Sequence, residues 1–381
     1  MTYRIFIYLL FLSLFFSCFS GSRGKSTSGD TIGLVQNDAA TGFTIQHFAT
    51  YQKLTVIDPW QKSTDNLFDY YLIGKNEKIP AELAEKQIFH TPLKRVICLS
   101  TTHIGYLGAL NQTGSVIGLS GSLYLTNPEL KRGIADNSVR EVGHEQGLNY
   151  ELIMQLKPDV VFAFGVGSEI NTQINKLKDL GIPVVLVGEY LEQSAMAKAE
   201  WIKFFGAFFA KEAMADSIYK DIKSRYETVK LAVAKVSIRP AVLTGLPFKD
   251  TWWMAGGQSN LAVLINDAGG NFLWKENSSK EAFPVSLEEV FLRASKADFW
   301  INCGSVNNLN ELLAFDPRFS ELPAVKNSRV YNNNLHSTPI GGNDYWESGV
   351  VHPDLVLRDL VRILHPELAG SGNFSYYKKV E

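Results

Sequence analysis

One helix-to-strand unit occurs twice in the chain, once near its middle and once towards its end. The first copy, Gly147 to Gly165, reads GLNYELIMQLKPDVVFAFG, and the second, Val285 to Gly304, reads VSLEEVFLRASKADFWINCG. In each copy, apolar residues at helical spacing lead into a short apolar strand of the kind that is covered on both faces of a sheet. Asp159 stands as far before the end of the first copy as Asp298 stands before the end of the second. Because helix–strand units recur in any α/β protein, the repeat by itself predicts an α/β fold and no more.

Each helix of the repeated unit leaves a glutamate away from its apolar face. Leu152, Ile153 and Leu156 share one side of the first helix, which places Glu151 on the other side. The second helix opens with an S-x-x-E capping box, carries its own apolar stripe and leaves Glu288 at the flank. A surface glutamate needs no functional explanation, so these two residues gain a role only from a wider pattern.

The rest of the chain alternates strands and helices in two blocks, which predicts two α/β lobes with parallel sheets. A chain of 381 residues is long enough for both. The stretch GFTIQHFATYQKLTVIDPW, which precedes the first block, predicts a small β extension. The boundaries that we predict are residues 42–92 for this extension and its connection, 93–190 for the first lobe, 191–238 for connecting helices, 239–368 for the second lobe and 369–381 for a tail.

A long helix is predicted between the two lobes. No proline occurs between Val184 and Arg239, and apolar residues recur at helical spacing from Lys211 to Lys235. A helix of about 25 residues reaches roughly 35 Å, which is enough to bridge two lobes.

The N-terminus has the pattern of an export signal. One arginine precedes an apolar run from Ile5 to Phe16, which is short for a membrane span and matches the central region of a secretory signal. A membrane anchor left in place is the alternative. Ser17 and Cys18 close the run and resemble the lipobox of bacterial lipoproteins, in which the cysteine becomes the lipidated first residue. We therefore expect a signal peptide over residues 1–17, lipidation at Cys18 and a flexible tether over residues 18–41.

The composition excludes some classes of protein and leaves the others open. The formal net charge is -2, and no basic run indicates a nucleic-acid or membrane-surface patch. Cys98 and Cys303 each lie in a predicted buried strand of a different lobe, so we interpret both as core thiols rather than as a disulfide.

Four segments, in order and spacing, resemble the solute-binding proteins of ABC importers for iron–siderophore complexes, haem and vitamin B12, the class III periplasmic binding proteins. The resemblance covers about Lys94 to Leu368. The segments are KRVICLSTTHIGYLGALNQTGSVIGLSG, LNYELIMQLKPDVVFAFG, LKDLGIPVVLVGE and VSLEEVFLRASKADFWI.

This resemblance implies two α/β lobes joined by one long helix, with the ligand in the cleft between them. It also implies that an exposed glutamate of each lobe docks on arginines of a membrane permease, and Glu151 and Glu288 match those positions. A carboxylate facing guanidinium groups is a charge-assisted, directed contact. The implied protein is a monomeric, lipid-anchored extracytoplasmic binder without enzymatic activity or cofactor. It would deliver a ferric siderophore, haem or cobalamin to the permease dimer and its ATPase.

The predicted cleft lies beyond the carboxyl ends of the strands, where open α/β sheets bind ligands. The loops there are rich in aromatic and polar residues, which suit a planar macrocycle or a catecholate. Because neighbouring residues of a strand face opposite ways, only one ring of the adjacent tryptophan pair is expected in the cleft. His103, His144 and His336 could also approach a chelated metal. The predicted ligand-binding residues are Thr102, His103, Tyr124, His144, Lys249, Trp252, Trp253, Tyr345 and Trp346.

Two other functions remain as alternatives. A binder of free Zn or Mn needs a closed shell of histidines and carboxylates, and the seven histidines are scattered without H-x-H or H-x-x-E-H spacing. An extracytoplasmic enzyme would need a recognisable nucleophile and base, and the sequence has no G-x-S-x-G, H-E-x-x-H or P-loop.

Overall fold

The computed structural model describes residues 31–381 except 145–146, 166–168, 250 and 369. The predicted signal peptide and Cys18 lie outside the described residues. The last part of the predicted tether, by contrast, is described. Residues 31–35 form a strand, and buried carboxylates accept hydrogen bonds from the backbone of residues 38–42. Residues 31–41 are therefore part of the folded structure, and the tether assignment is wrong for them.

The N-terminal extension is a five-stranded sheet in chain order, antiparallel except for the parallel last pair. Alternation of buried and exposed residues along these strands fits a sheet with one covered face. Its strands are β1 (Thr31–Val35), β2 (Phe43–Phe48), β3 (Tyr51–Ile57), β4 (Leu67–Gly74) and β5 (Ile88–Thr91).

The first lobe contains a parallel five-stranded sheet of order β12-β11-β6-β7-β8. Its core strands are fully buried, as their continuous apolar sequences predict. The elements are β6 (Val96–Cys98), α1 (Thr101–Ala109), β7 (Val116–Leu119), α2 (Pro128–Ala135), β8 (Arg140–Glu141), the hairpin β9 (Gly143–His144) and β10 (Gly147–Leu148), α3 (Tyr150–Leu156), β11 (Val160–Ala163), α4 (Glu169–Asp179) and β12 (Val184–Leu186).

Two helices connect the lobes. The predicted long helix is confirmed as α6 (Glu212–Val233). Its 22 residues pack on the preceding α5 (Ala195–Phe208) and on the C-terminal helix α12 (Pro353–Leu364). Helix α5 ends before Ala210, whose backbone φ of 52° lies in the left-handed region and stops the helix. Nearly every residue of α5 is buried, so it belongs to the core, whereas α6 keeps an exposed charged face.

The second lobe repeats the parallel design. Its main sheet has the order β16-β13-β18-β19-β20, with only β20 antiparallel, and a three-stranded antiparallel sheet β14-β15-β17 lies beside it. The elements are β13 (Ala241–Thr244), β14 (Pro247–Phe248), β15 (Thr251–Met254), α7 (Asn260–Asp267), β16 (Asn271–Phe272), β17 (Phe283–Ser286), α8 (Leu287–Ala294), β18 (Phe299–Ile301), α9 (Leu309–Phe315), α10 (Pro323–Lys326), β19 (Val330–Asn332), α11 (Asp344–Glu347), α12 (Pro353–Leu364) and β20 (Lys378–Lys379).

The repeated unit has the same structure in both lobes. Asp159 precedes β11, and its carboxylate accepts backbone hydrogen bonds from the residues that lead into β6, at 2.7 and 2.9 Å. Asp298 precedes β18, and its carboxylate accepts the backbone N–H of Ala241 at the start of β13, at 2.7 Å. Each aspartate thus fixes the start of the neighbouring parallel strand, which explains its shared position in the repeat. Cys98 and Cys303 are buried free thiols, as predicted.

Two buried carboxylates attach the N-terminal extension to the first lobe. Glu200 on α5 accepts the backbone N–H groups of residues 38, 39 and 40 at 2.7 to 2.8 Å, and Lys203 pairs with it at 2.7 Å. Glu192 accepts the N–H groups of Thr41 and Gly42 and the indole N–H of Trp201. These contacts hold the extension against α5, which the extension's β pattern alone does not predict.

Candidate functional site

A cleft lies between the lobes, at the carboxyl ends of both sheets. Residues of both lobes line a cavity of about 430 Å³, which we call the cleft cavity. A smaller cavity of about 170 Å³, the inner cavity, shares Tyr190, Lys198, Asn260, Tyr345 and Trp346 with it. The buried side chains of Ala195, Leu264 and Val356 also line the inner cavity.

Each lobe adds a pocket of its own. In the first lobe, the loops after β6 and β7 form a pocket of about 470 Å³ that includes Tyr124 and His144. In the second lobe, amides such as Asn302 and Asn333 line a pocket of about 350 Å³ that also includes Trp346. Among the described residues, Trp346 lines the second-lobe pocket and both shared cavities, and 57 % of it is exposed. It is therefore the best placed aromatic surface for a ligand.

The structure brings three of the predicted residues together at the inner cavity: Thr102, Tyr345 and Trp346. Tyr345 and Trp346 meet edge to face with ring centroids 4.7 Å apart. Tyr345 is itself buried against Tyr376 and Tyr377, so it supports Trp346 from behind while contributing to the cavity wall.

His103 is not a ligand-binding residue, contrary to the prediction. It is completely buried among the rings of Phe162, Phe164 and Phe205, and neither of its ring nitrogens has a hydrogen-bond partner. Burial lowers the pKa of His103 to about 3, so its ring is neutral at physiological pH. The prediction failed because the helix that begins at Thr101 turns this side chain inward, away from Thr102.

The adjacent residues Trp252 and Trp253 of strand β15 point to opposite faces of their sheet, as the alternation of side chains along a strand requires. Trp252 is completely buried, packs on Trp300 and Phe319, and donates its indole N–H to the Thr244 carbonyl at 3.0 Å. Its assignment to the cleft is wrong. Trp253 is 53 % exposed.

Trp253 and Lys249 do not line the cavities described above. Lys249 adopts a φ of 56° at the tip of the β14–β15 hairpin, with its ammonium 5.5 Å from the ring centroid of Phe248. The hairpin thus packs the Trp252 ring into the core and places Trp253 and Lys249 outside these cavities.

The sequence analysis missed polar and ionisable residues of the inner cavity, namely Glu189, Tyr190, Lys198 and Asn260. Glu189 and Tyr190 lie just beyond the carboxyl end of strand β12, after Val187 and Gly188, so the rule that ligands bind beyond the carboxyl ends of strands could have found them. Lys198 and Asn260 lie on α5 and α7, and no sequence pattern shows that these helices meet at the cleft.

The inner cavity contains a buried acid and a largely buried amine. Glu189 is 2 % exposed, and one of its oxygens accepts a hydrogen bond from the Thr102 hydroxyl at 2.6 Å. Burial raises the pKa of Glu189 in spite of this bond. Burial also lowers the pKa of Lys198, and the charges of Glu189 and Glu192 offset part of that effect.

The lobes contact each other beside the cleft through α11. The buried carboxylate of Glu347 accepts the backbone N–H groups of Thr126 and Asn127 in the first lobe, both at 2.7 Å. Helix α1 also packs against α11 so closely that a Cβ atom on Gly105 would lie 2.0 Å from the Glu347 carbonyl oxygen. These contacts fix the relative position of the lobes at this point.

The two predicted docking glutamates are exposed on equivalent helices. Glu151 lies in the first turn of α3 and Glu288 in the first turn of α8. Each helix also exposes an apolar side chain one turn further on, Met154 at 41 % and Leu292 at 72 %. Residues three or four apart share a helix face, so each lobe presents a carboxylate with an apolar neighbour.

Within the described part of the chain, no three His, Cys, Asp or Glu side chains are grouped so that they could hold a metal ion. Over the same residues, no helix has the length and apolar content needed to cross a membrane.

Two α/β lobes, a long connecting helix and a cleft lined by both lobes define a two-lobed solute-binding protein. The chain belongs to the periplasmic binding protein family, whose model matches residues 96–333. The N-terminal extension lies outside that match.

Individual proteins agree with this assignment. An uncharacterized lipoprotein of Methanocaldococcus jannaschii is 28% identical, over 78% of this chain and 72% of its own. The vitamin B12-binding protein of Vibrio vulnificus is 23% identical, over 64% of this chain and 82% of its own. Among solved structures, a possible iron-binding (periplasmic solute-binding) protein from Staphylococcus epidermidis superposes with a TM-score of 0.57 at 20% identity, over 72% of this chain and 100% of that one.

Proposed function

We propose that this protein is the extracytoplasmic solute-binding component of an ABC importer, and that it captures a metal chelate between its lobes and delivers it to the permease. The observation that carries the proposal is the inter-lobe cleft, in which an exposed Trp346 borders a 430 Å³ cavity and the smaller inner cavity. A cavity of this size falls in the range of small-molecule sites. A ferric siderophore, haem and cobalamin are the ligand classes proposed.

Ligand binding is tested by titrating the protein without its lipid with haemin, cobalamin and a ferric siderophore, followed by tryptophan fluorescence. Replacing Trp346 with alanine should weaken binding of the preferred chelate by about tenfold or more, as for a central aromatic anchor. The matched control is Trp253→Ala, which removes an exposed indole outside the cavities and should change the affinity less than about twofold. Equal affinity of wild type and Trp346→Ala would show that the site is elsewhere. Tight binding of free Zn²⁺ or Mn²⁺ with no chelate bound would instead favour a free-metal binder.

Delivery is proposed to depend on Glu151 and Glu288, which lie on helices whose buried faces are committed to the core. Alanine at either position should leave the fold intact, because an exposed carboxylate contributes little to stability. Chelate affinity should therefore stay within about twofold of the wild type, while uptake in cells falls. Glu289→Ala is the control, since Glu289 neighbours Glu288 but pairs with Arg293 of its own helix at 3.1 Å. Normal uptake by the Glu151→Ala, Glu288→Ala double variant would contradict the assignment.

We also propose that the protein is attached to the outer side of the membrane through a lipidated Cys18. The support is the signal-like N-terminus and a relative described as a lipoprotein. Metabolic labelling with palmitate should label the wild type and not Cys18→Ala, and equal labelling of both would remove this proposal.

A further inference from the structure

The inner cavity contains polar atoms that have no protein partner. One Glu189 oxygen is occupied by Thr102, but the other oxygen is buried and has no hydrogen-bond partner. The side-chain NH₂ of Asn260, on the opposite lobe, is also buried without a partner, and both residues line the same cavity. A buried polar group without a hydrogen-bond partner is energetically unfavourable, so two of them at one cavity indicate that a ligand completes their hydrogen bonds.

The two unpaired atoms are of opposite type. The Glu189 carboxylate oxygen accepts a hydrogen bond, and the Asn260 amide nitrogen donates one. A primary carboxamide matches both, because its NH₂ can donate to Glu189 while its carbonyl accepts from Asn260. A ligand carboxylate offers only acceptors when ionised and would place its charge beside the Glu189 acid.

The size of the cavity limits what enters it. At about 170 Å³ it lies below the roughly 300 Å³ at which sites for whole small molecules begin. The adjoining cleft cavity of about 430 Å³ is large enough for the body of a ligand. The inner cavity therefore suits a side arm of a molecule whose ring system lies against Trp346.

The few cationic side chains that line the cleft are consistent with a ligand whose side arm is uncharged. Among the described residues that line the cleft cavity and the inner cavity, the lysines are Lys198 and Lys280, and there is no arginine. Lys198 already lies within the electrostatic influence of Glu189 and Glu192. The second-lobe pocket next to Trp346 is lined by neutral amides and hydroxyls. The described lining residues thus supply none of the bidentate guanidinium groups that carboxylate recognition favours.

We infer that Glu189 and Asn260 form a subsite for a primary carboxamide arm of the ligand, so that the protein selects a metal macrocycle bearing carboxamides over one bearing carboxylates. This inference rests on the proposed function and specifies the chemical class of its ligand.

The test compares two corrins that differ in their arms: dicyanocobinamide, which carries primary carboxamides, and dicyanocobyrinic acid, which carries carboxylates in their place. Haemin and a ferric siderophore complete the set, and affinities are measured by fluorescence and calorimetry at pH 7.5. We expect dicyanocobinamide to bind the wild type at least tenfold more tightly than the acid. Glu189→Gln should reduce that ratio at least threefold, because it removes the acid that disfavours carboxylates.

Asn260→Asp should weaken dicyanocobinamide at least fivefold, because the donor becomes an acceptor. The matched control is Asn327→Asp, which makes the same amide-to-acid change at an exposed second-lobe residue outside the cavities described above and should alter affinity less than twofold. Equal or tighter binding of the acid, of haemin or of the siderophore by the wild type overturns the inference and leaves the proposed function intact. Failure of all four compounds to bind overturns both. The wild-type comparison decides the matter even if a variant does not fold.

Discussion

At the scale of single residues, the environment decides what each chemical group does. Trp252 and Trp253 are chemically identical neighbours, yet one is completely buried and the other is half exposed, because successive side chains of a strand face opposite sides. The neighbours Thr102 and His103 of helix α1 also point in different directions. Thr102 donates a hydrogen bond to Glu189 at the inner cavity, whereas His103 packs in the aromatic core.

The buried His103 predicts how stability depends on pH. Its pKa in the folded protein is lowered to about 3 by burial, below its ordinary value of 6.5. The unfolded chain therefore binds a proton as the pH falls below 6.5 while the folded protein does not, and the folded state loses stability between pH 6.5 and about 3. At pH 4.5 this loss amounts to about 2–3 kcal/mol.

The variant His103→Leu tests this, because it keeps an apolar side chain among the phenylalanines and removes the titrating group. Urea denaturation at pH 7.5 and pH 4.5 should show a smaller fall in unfolding free energy for the variant than for the wild type, by about 2–3 kcal/mol. The carboxylates are the same in both proteins and serve as the internal control. The same fall in both proteins would show that His103 is protonated in the folded state.

At the scale of elements, helix α5 organises the region around the first lobe. Its Glu200 binds the backbone of the N-terminal extension, its Lys198 lines the inner cavity, and its phenylalanines fill the core. The loop between β3 and β4 of the extension brings Gln61 to the cleft cavity, so the extension contributes to the site as well as to the fold.

Replacing Glu200 with alanine should detach the extension. The change leaves three backbone N–H groups and the Lys203 ammonium without their buried partner, which should cost about 3 kcal/mol or more of unfolding free energy. Limited proteolysis should then cut within residues 36–42, and the wild type should resist cleavage there.

The control for this change is Lys223→Ala, which removes another ionic contact to the same segment, with Asp38 at 2.7 Å. Both of its partners are more than 40 % exposed, so solvent screens the pair and the variant should lose less than about 1 kcal/mol. Comparable losses in both variants would mean that the buried carboxylate has no special role.

At the scale of the whole molecule, the lobes are held by a stiff helix and by direct contact at α11. The 22-residue α6 packs along α12, and Glu347 bonds to the first lobe. We therefore predict that ligand binding tilts the lobes only slightly, in contrast to binders whose lobes are hinged by flexible strands.

The variants Gly105→Ala and Gly108→Ala test the lobe contact. Both glycines lie in α1, but an added Cβ meets the Glu347 carbonyl oxygen at 2.0 Å from Gly105 and only the end of the Asn127 side chain at 4.0 Å from Gly108. Gly105→Ala should destabilise the protein by about 1–3 kcal/mol and enlarge its radius of gyration in small-angle scattering. Gly108→Ala should leave the radius unchanged and stabilise the helix by up to about 1 kcal/mol. Equal behaviour of the two variants would show that the lobes adjust freely at this contact.

The sequence by itself determined the α/β class, the two lobes, the connecting helix and the repeated unit. These features depend on local patterns: apolar strands, helical spacing, the cap at Ser286 and the proline-free stretch that became α6. Such patterns report which face of an element is buried, so Glu151 and Glu288 were correctly expected on the surface.

Only the tertiary structure decided the composition of the site. His103 and Trp252 have residue types that suit a ligand, but the angle at which their elements pack turns both into the core. Glu189 and Lys198 belong to neighbouring segments of the chain, but Asn260 lies on α7 of the other lobe, and it meets them because the lobes close on each other. The order in residues 38–41 has the same origin, because their backbone N–H groups are held by Glu192 and Glu200, over 150 residues away in the chain. Local patterns carry no information on such contacts, since these contacts depend on the distances between elements that are set only when the whole chain packs.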